Sequence, residues 1–226
     1  MDLDTASQLL ITIDGPAGAG KTTVSKMLAA RLRYRYLDTG ALYRAVAYAI
    51  RQKGVTVDDE QGLADVCANL HIHFDADRLL LDGTDISDCI RTPEITMLAS
   101  AVSARPLVRQ TLFDIQRAIG RSGALVAEGR DMGTVVFPEA DLKFYLDASI
   151  RQRALRRFAQ YADDGQTVDE IEKDIRRRDE NDSSRDIAPL RPARDAIIID
   201  STQLPAQQVV ETMLMHVRRS GDPSTR

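Results

Sequence analysis

The chain has 226 residues and a formal net charge of −4 at pH 7; 43% of its residues are hydrophobic and 28% are charged. This composition is typical of one large globular domain, and the acidic balance argues against broad affinity for nucleic acid or membrane surfaces. The first residues lack the features of a secretory signal and no run is apolar enough to span a membrane, so we expect a cytoplasmic protein. Two cysteines, Cys67 and Cys89, are too few for a disulfide framework or a metal site.

An apolar run at 9–14 is followed directly by residues 15–22, which read GPAGAGKT and fit the pattern G-x-x-x-x-G-K-[ST]. Small residues let backbone N–H groups in such a loop point at phosphate oxygens, and the helix predicted over 21–32 adds the partial positive charge of its N-terminus. Because a strand precedes the pattern and a helix follows it, we interpret the stretch as a phosphate-binding P-loop rather than an ordinary glycine-rich turn.

In this interpretation ATP is the nucleotide, and Mg²⁺ accompanies it. Lys21 reaches the β- and γ-phosphates, the Thr22 hydroxyl holds Mg²⁺, and Thr23 is expected near the α-phosphate. Glu128, at the end of a later apolar strand, is expected either close to the Mg²⁺ or in a cap or turn. The predicted ATP-binding residues are Gly15, Pro16, Ala17, Gly18, Ala19, Gly20, Lys21, Thr22 and Thr23.

Strands and helices alternate along most of the chain. Strands are predicted at 9–14, 36–38, 124–128, 142–147 and 196–200, and helices at 21–32, 39–52, from 93, at 106–121 and at 205–219. This order is typical of a parallel, doubly wound sheet with right-handed crossovers. We therefore expect ligands to bind at the carboxyl ends of its strands.

Two segments interrupt the alternation. Residues 55–89 contain short β-like runs broken by Asp-Gly and Asp-Arg turns, which predict a small β-rich insertion. Residues 150–185 are rich in arginine and acidic residues and predict two charged helices joined at Gly165. On the second helix Arg178, Asp182 and Arg185 recur at helical spacing, either as surface ion pairs or on a mobile arm that closes over a nucleotide.

Two arginines follow predicted strands closely. Arg130 lies in a glycine-flanked turn, which favours presentation of its side chain at the edge of the sheet. Arg44 lies one turn into the helix after the second strand, where it is either solvated or directed at the phosphate of a second substrate. A guanidinium suits the second role because it binds an oxyanion through two parallel hydrogen bonds.

Four stretches carry a resemblance to one family. Residues 11–21, 37–44, 129–138 and 185–190 read ITIDGPAGAGK, LDTGALYR, GRDMGTVVFP and RDIAPL. Together they resemble the bacterial cytidylate kinases, which are P-loop nucleoside monophosphate kinases, and the resemblance covers nearly the whole chain. It implies transfer of the γ-phosphoryl group of ATP to CMP or dCMP, giving ADP and CDP or dCDP.

The resemblance also implies an α/β fold with a P-loop NTPase-type, five-stranded parallel sheet flanked by helices, a small β-rich insertion and a helical lid. It predicts a single kinase domain over 1–226, with a core of 9–56, 91–150 and 186–219. The insertion at 57–90 would bind the nucleoside monophosphate, and 151–185 would form the lid. The resemblance favours a monomer, and neither nucleic acid nor a membrane is expected as a partner.

The residues that the resemblance assigns to CMP are Thr39, Tyr43, Arg44, Ser100, Arg109, Gly129, Arg130, Asp131, Arg178, Asp182 and Arg185. Of these, Ser100, Arg109 and Asp131 match positions that contact cytosine, and Ser103 lies close enough to be the alternative to Ser100. Arg178 and Asp182 match positions near the ribose, and Arg44, Arg130 and Arg185 match those that bind the monophosphate. Thr39 stands where a serine is common, and Thr22 where a glycine also occurs.

Phosphoryl transfer requires alignment and charge neutralisation more than covalent chemistry. The predicted catalytic residues are Lys21, Arg130, Arg185 and two lid arginines, Arg153 and Arg157, which would act on the transferring group. Asp131 can accept from the exocyclic amine of cytosine and Arg109 can donate to its ring acceptor or carbonyl. Uracil reverses part of this polarity, so we expect CMP to be preferred by ~10²-fold or more.

Three alternatives stay open at this point. A kinase for UMP or AMP would be distinguished by a panel of acceptors. A regulatory P-loop NTPase would hydrolyse nucleotide without depending on CMP, although the chain has no N-K-x-D motif for guanine. A structural relative that binds nucleotide without catalysis is disfavoured because Lys21, Arg44, Arg130 and Arg185 are all present.

Overall fold

The computed structural model describes residues 8–75, 78–160 and 165–220. The strands are β1 (Leu10–Asp14), β2 (Arg35–Asp38), β3 (Ile72–Asp75), β4 (Arg78–Leu81), β5 (Thr84–Asp85), β6 (Leu125–Gly129), β7 (Leu142–Asp147) and β8 (Ile197–Asp200). The helices are α1 (Lys21–Leu32), α2 (Thr39–Gln52), α3 (Glu60–Ala68), α4 (Pro93–Val102), α5 (Pro106–Gly120), α6 (Ile150–Gln160), α7 (Val168–Ser184) and α8 (Ala206–Ser220). Within these described ranges, no helix combines the length and the apolarity needed to cross a membrane.

The larger sheet has five parallel strands in the order β2-β6-β1-β7-β8, with β1 at its centre. In its register Asp14 pairs with Gly129 of β6 on one side and with Tyr145 of β7 on the other. The carboxyl end of β1, from which the P-loop departs, therefore lies level with the end of β6. This confirms the predicted α/β fold. That ligands bind at the carboxyl ends of these strands stays a prediction.

The smaller sheet is antiparallel, with the order β3-β4-β5. Residues 55–89 also contain α3, which the sequence analysis missed when it described this segment as β-rich. Asp59 caps α3 by accepting the backbone N–H of Gly62 at 2.9 Å, and Leu63, Val66 and Cys67 form a buried face at helical spacing. The spacing of these apolar residues was the signal that identifies a helix.

The chain forms two compact units, Asp38–Ile119 and the remainder, Met1–Leu37 with Gly120–Arg226. In the remainder, α1 and α8 pack on the five-stranded sheet, and Ile11, Ile13 and Phe144 are among the buried core residues. In the unit Asp38–Ile119, α2 packs against α3 and α4. This unit contains the whole segment 57–90 predicted to be the insertion; the predicted boundaries of core, insertion and lid stay predictions.

The charged segment 150–185 contains two helices, as predicted. α7 begins with a capping box, in which Thr167 accepts the backbone N–H of Glu170 and Glu170 accepts that of Thr167. Ala154 of α6 packs with Ile171 and Ile175 of α7 in a small apolar core. Despite their charge, the two helices therefore have a buried contact face.

Candidate functional site

The P-loop has a backbone conformation that glycine permits and other residues do not. Gly15 has φ 148° and Gly20 has φ 95°, in the region that side chains with a Cβ rarely adopt. A Cβ on Gly15 would also overlap the carbonyl oxygen of Leu146 in β7. The loop can therefore lie directly against the sheet while its backbone turns into α1.

Lys21, the first residue of α1, is buried, with 7% of its surface exposed. Its Nζ donates to the carbonyl oxygens of Gly15 at 2.8 Å and of Pro16 at 2.7 Å, so the ammonium lies inside the curve of the loop. Burial, followed by the charges of Arg130 and Arg178, lowers the pKa of Lys21 to about 7, although Glu128 and Asp14 oppose the shift. A bound phosphate would place a negative charge beside the Lys21 amine and so stabilise its protonated form.

Thr22 and Glu128 interact, as expected of a site for a metal bound with ATP. The Thr22 hydroxyl donates to Glu128 Oε1 at 2.8 Å, and the hydroxyl of Tyr36 in β2 donates to the same oxygen. No sequence pattern points to Tyr36, because its contact with Glu128 depends on β2 lying beside β6 in the sheet. Among the described residues, no group of three or more His, Cys, Asp or Glu side chains could hold a metal ion by itself.

Two arginines of α6 bind the outer side of the P-loop. Arg153 is buried; its Nη1 donates to the carbonyl of Ala17 at 3.1 Å and to Asp179 at 2.6 Å. Arg156 donates to the carbonyl of Ala19 at 3.1 Å, and also to the main-chain oxygen of Ser201 at 2.6 Å. Arg153 and Arg157 were predicted from the sequence as lid arginines and Arg156 was not, although all three lie on one helix.

Three arginines predicted to bind CMP surround one carboxylate. Asp182 Oδ2 accepts Arg130 Nε at 2.9 Å, and Asp182 Oδ1 lies 3.9 Å from Arg185 Nη1. Burial would raise the pKa of Asp182, but Arg130, Arg178 and Arg185 lower it overall. Only 7% of the Asp182 side chain is exposed, so this face of α7 is a buried charged cluster and not a set of surface ion pairs.

Asp131 and Gly129 lie in the same region. Asp131 follows Arg130 directly and is 2% exposed, and Gly129 ends β6. Residues Met132–Val136 then form a short π-helical turn that the sequence did not predict. The next two backbone N–H groups, of Met132 and Gly133, donate to Asp14 at 2.9 and 2.8 Å.

The unit Asp38–Ile119 holds the other predicted CMP residues. Asp38 caps α2, whose first residue Thr39 is buried, and pairs with Arg44 at 2.9 Å. The guanidinium of Arg109 lies 5.7 Å from the centre of the Tyr43 ring, within range of a cation–π contact. Arg109 is 8% exposed.

Near Arg109 the structure places both candidate serines. Arg109 Nη1 donates to the main-chain oxygen of Ser103 at 3.1 Å. The Ser103 hydroxyl donates to the main-chain oxygen of Ser100 at 2.7 Å. The hydroxyl of Ser103 is thus occupied by the end of α4. Ser100 has no such bond to the main chain in the described contacts, and its selection over Ser103 stays a prediction.

A P-loop at the carboxyl end of the central parallel strand, with a buried lysine inside it and a cluster of arginines nearby, defines a P-loop kinase. Basic groups in this arrangement suit phosphate oxygens, and a hydroxyl and carboxylate beside them suit a magnesium–nucleotide complex.

Comparison with known proteins identifies the family. The family model for cytidylate kinase matches residues 11–219. The chain is similar to the cytidylate kinases of Syntrophotalea carbinolica and Geobacter sulfurreducens, each 48% identical over 216 residues. Each match covers 93% of this chain; it covers 92% of the Syntrophotalea protein and 93% of the Geobacter protein. The chain therefore belongs to the cytidylate kinase family, and it is an enzyme that transfers a phosphoryl group from ATP to CMP or dCMP.

A solved structure of a gluconokinase from Sinorhizobium meliloti is similar in fold, with a TM-score of 0.51 at 12% identity. The match covers 95% of this chain and 94% of the gluconokinase. At this level of identity the likeness supports the α/β kinase fold alone.

Proposed function

We propose that the P-loop, Lys21 and the arginine cluster around Asp182 carry the transfer of the γ-phosphoryl group from ATP to CMP or dCMP. One observation supports this assignment above the others: Arg130 and Arg178 lie close enough to Lys21 to lower its pKa. Basic groups gathered this closely favour binding of anions, so two phosphate groups could be accommodated here side by side. Lys21 would bind the donor phosphates, and Arg130 and Arg185 the acceptor phosphate.

Mg²⁺ fits the residues present. The Thr22 hydroxyl is the proposed direct ligand, and Glu128 lies behind it as a carboxylate that can bind a water of the ion. Such an ion usually takes most of its remaining ligands from phosphate oxygens and water, which agrees with the lack of a protein-only metal cluster among the described residues. When bound, the ion would neutralise charge on the ATP phosphates.

Arg153 and Arg157 are proposed to act during transfer from the lid, together with Arg185. In the structure Arg153 orders the P-loop through the carbonyl of Ala17. Its proposed contribution is therefore to hold the loop in the conformation that directs N–H groups at phosphate. Arg157, half-buried on the same helix, is proposed to contact the transferring group. No general base is needed, because a monophosphate is largely dianionic near neutral pH.

Asp131 is proposed to select cytosine by accepting its exocyclic amine, since uracil presents a carbonyl there and would leave two acceptors facing each other. For Thr39, Tyr43, Arg44, Ser100 and Arg109 the roles in CMP binding stay predictions. So do the monomeric state, the cytoplasmic location, and the expectation that neither nucleic acid nor a membrane is a partner.

The test is a coupled assay for ADP release with CMP, dCMP, UMP and AMP as acceptors. We expect kcat/KM for CMP to exceed that for UMP by ~10²-fold or more, since unpaired polar groups cost about 1–3 kcal/mol each. The Asp131→Asn variant, whose amide can donate to a carbonyl, should lose most of this preference. Equal turnover of CMP and UMP by the unmodified enzyme would contradict the proposed selection.

A further inference from the structure

Asp14 is the last residue of β1 and lies directly before the P-loop. It is 3% exposed, and its two carboxylate oxygens accept different backbone N–H groups. Oδ1 accepts that of Met132 at 2.9 Å and Oδ2 that of Gly133 at 2.8 Å. One side chain thus connects the strand that leads into the P-loop with the turn that follows β6.

An ionised carboxylate is the side chain best suited to this geometry. It presents acceptors on both oxygens, whereas an amide presents one acceptor and one donor. Burial opposes ionisation and outweighs the two backbone N–H groups, which favour it, so that the pKa of Asp14 is raised to about 6. Asp131 raises the pKa and Lys21 lowers it. At neutral pH the carboxylate is therefore predominantly ionised and holds both bonds.

The turn is held tightly on the sheet at the same place. A Cβ on Gly133 would lie 2.9 Å from Thr12 Oγ1 and 3.2 Å from Lys143 Cδ, closer than unstrained contacts allow. The backbone at Gly133 therefore lies close against the side chains of Thr12 in β1 and Lys143 in β7, with little room for a Cβ. Asp131 is separated from the anchored Met132 by a single peptide bond, and Arg130 by two.

We propose that Asp14 is a positioning residue that fixes the Arg130–Asp131 turn for binding and selection of the acceptor nucleotide. The inference rests on the proposed roles of Arg130 and Asp131. It assigns Asp14 an effect mainly on the acceptor, because the hydrogen bonds described for its side chain go to the turn. Its link to the P-loop is the weaker charge interaction with Lys21, which affects the pKa of each group less than burial does.

The test compares Asp14→Asn with Asp141→Asn. The Asp141 carboxylate accepts the backbone N–H of Leu10 at 2.8 Å. Leu10 begins β1 and Asp14 ends it, so Asp141→Asn is a control for loss of a carboxylate that binds the other end of the same strand. In Asp14→Asn one buried N–H loses its acceptor, so we expect the Kd and KM for CMP to rise about tenfold or more. We also expect the CMP-to-UMP ratio of kcat/KM to fall about tenfold. The KM for ATP should stay within about threefold, and Asp141→Asn should change none of these.

Several outcomes would overturn the inference. One is a Kd and KM for CMP, and a CMP-to-UMP ratio of kcat/KM, that stay within twofold of the unmodified enzyme in Asp14→Asn. Another is an equal rise of the KM for ATP and the KM for CMP. If Asp14→Asn does not fold by circular dichroism, Asp14→Ser keeps one acceptor and is measured instead. Failure of both to fold would make Asp14 a residue of fold stability and reject the positioning role.

A measurement on the unmodified protein is independent of these variants. The amides of Met132 and Gly133 should be protected from deuterium exchange to the same extent as those of β1, and free exchange would remove the basis of the inference. The proposed function is judged separately. If the unmodified enzyme does not act on CMP, that function fails, whereas an active enzyme with no selective defect in Asp14→Asn rejects this inference alone.

Discussion

Arg130 Nε donates to Asp182 Oδ2 at 2.9 Å across two elements that are 52 residues apart in the chain. Asp182 thereby supplies negative charge to arginines that are proposed to bind the acceptor phosphate. The arginines would otherwise repel one another in a largely buried place, where charges are poorly screened. An acidic residue of α7 therefore holds Arg130 and Arg185 together.

Asp182→Asn should reduce the stability of the protein at pH 7, because it removes one partner of a buried ion pair and leaves the arginines uncompensated. We expect a loss of about 3 kcal/mol in the free energy of unfolding by urea. Asp169→Asn removes an exposed partner of Arg151 and should leave the stability unchanged within error. A loss in Asp182→Asn no larger than in Asp169→Asn would contradict the importance of the cluster.

Asp182 should also make the stability of the protein depend on pH in the acidic range. The pKa of Asp182 is lower in the folded protein than its usual value, so below about pH 4 the unfolded chain binds more protons than the folded one. The stability that Asp182 contributes is complete above that pH and is lost as the pH falls through its folded pKa. Unfolding curves at pH 7, 5 and 3.5 should show a smaller acid-induced loss in Asp182→Asn than in the unmodified protein.

Lys21→Ala should lower kcat roughly 10³-fold or more while leaving the fold intact, since the ammonium is proposed to bind phosphates that gain charge during transfer. Lys26→Ala, on the same helix, is the control and should retain nearly full turnover. Steady-state rates and circular dichroism together check both points. Near-normal turnover in Lys21→Ala would rule out the proposed role.

ATP binding should take up a proton at pH 8. The pKa of Lys21 is about 7 without nucleotide, so the amine is largely neutral at pH 8, and the triphosphate should raise this pKa and recharge it. Calorimetric titrations in buffers of different ionisation enthalpy should give an uptake approaching one proton at pH 8 and close to none at pH 6. Lys21→Met should show no uptake at either pH.

Arg156→Met should weaken ATP binding about fivefold, because the loop carbonyl of Ala19 loses a charged donor that orients its peptide group. The CMP affinity should be unchanged. Arg151→Met, an exposed position on the same helix, is the control. Equal KM values for ATP in Arg156→Met and Arg151→Met would show that the contact of α6 with the loop does not affect nucleotide binding.

The fold and the family were accessible from the sequence because their signals are local. The P-loop motif fits one short turn between a strand and a helix, and Gly15 and Gly20 adopt there the conformations that require glycine. The alternation of strands and helices likewise predicted the parallel sheet. The helix α3 was missed because short β-like runs on its C-terminal side dominated the reading of residues 55–89.

The contacts within the site were decided by the tertiary structure. Asp14 and Gly133 are 119 residues apart in the chain. Arg156 and Ala19 are 137 residues apart, and Tyr36 and Glu128 are 92 apart. A motif can indicate that such residues carry charge or a hydroxyl, but their partners depend on strand order and register. The sequence alone determined the phosphate-binding loop and the family, because those patterns are short-range. The sheet, by aligning the ends of β1 and β6, determined which side chains meet, because hydrogen bonds act only over a few ångströms.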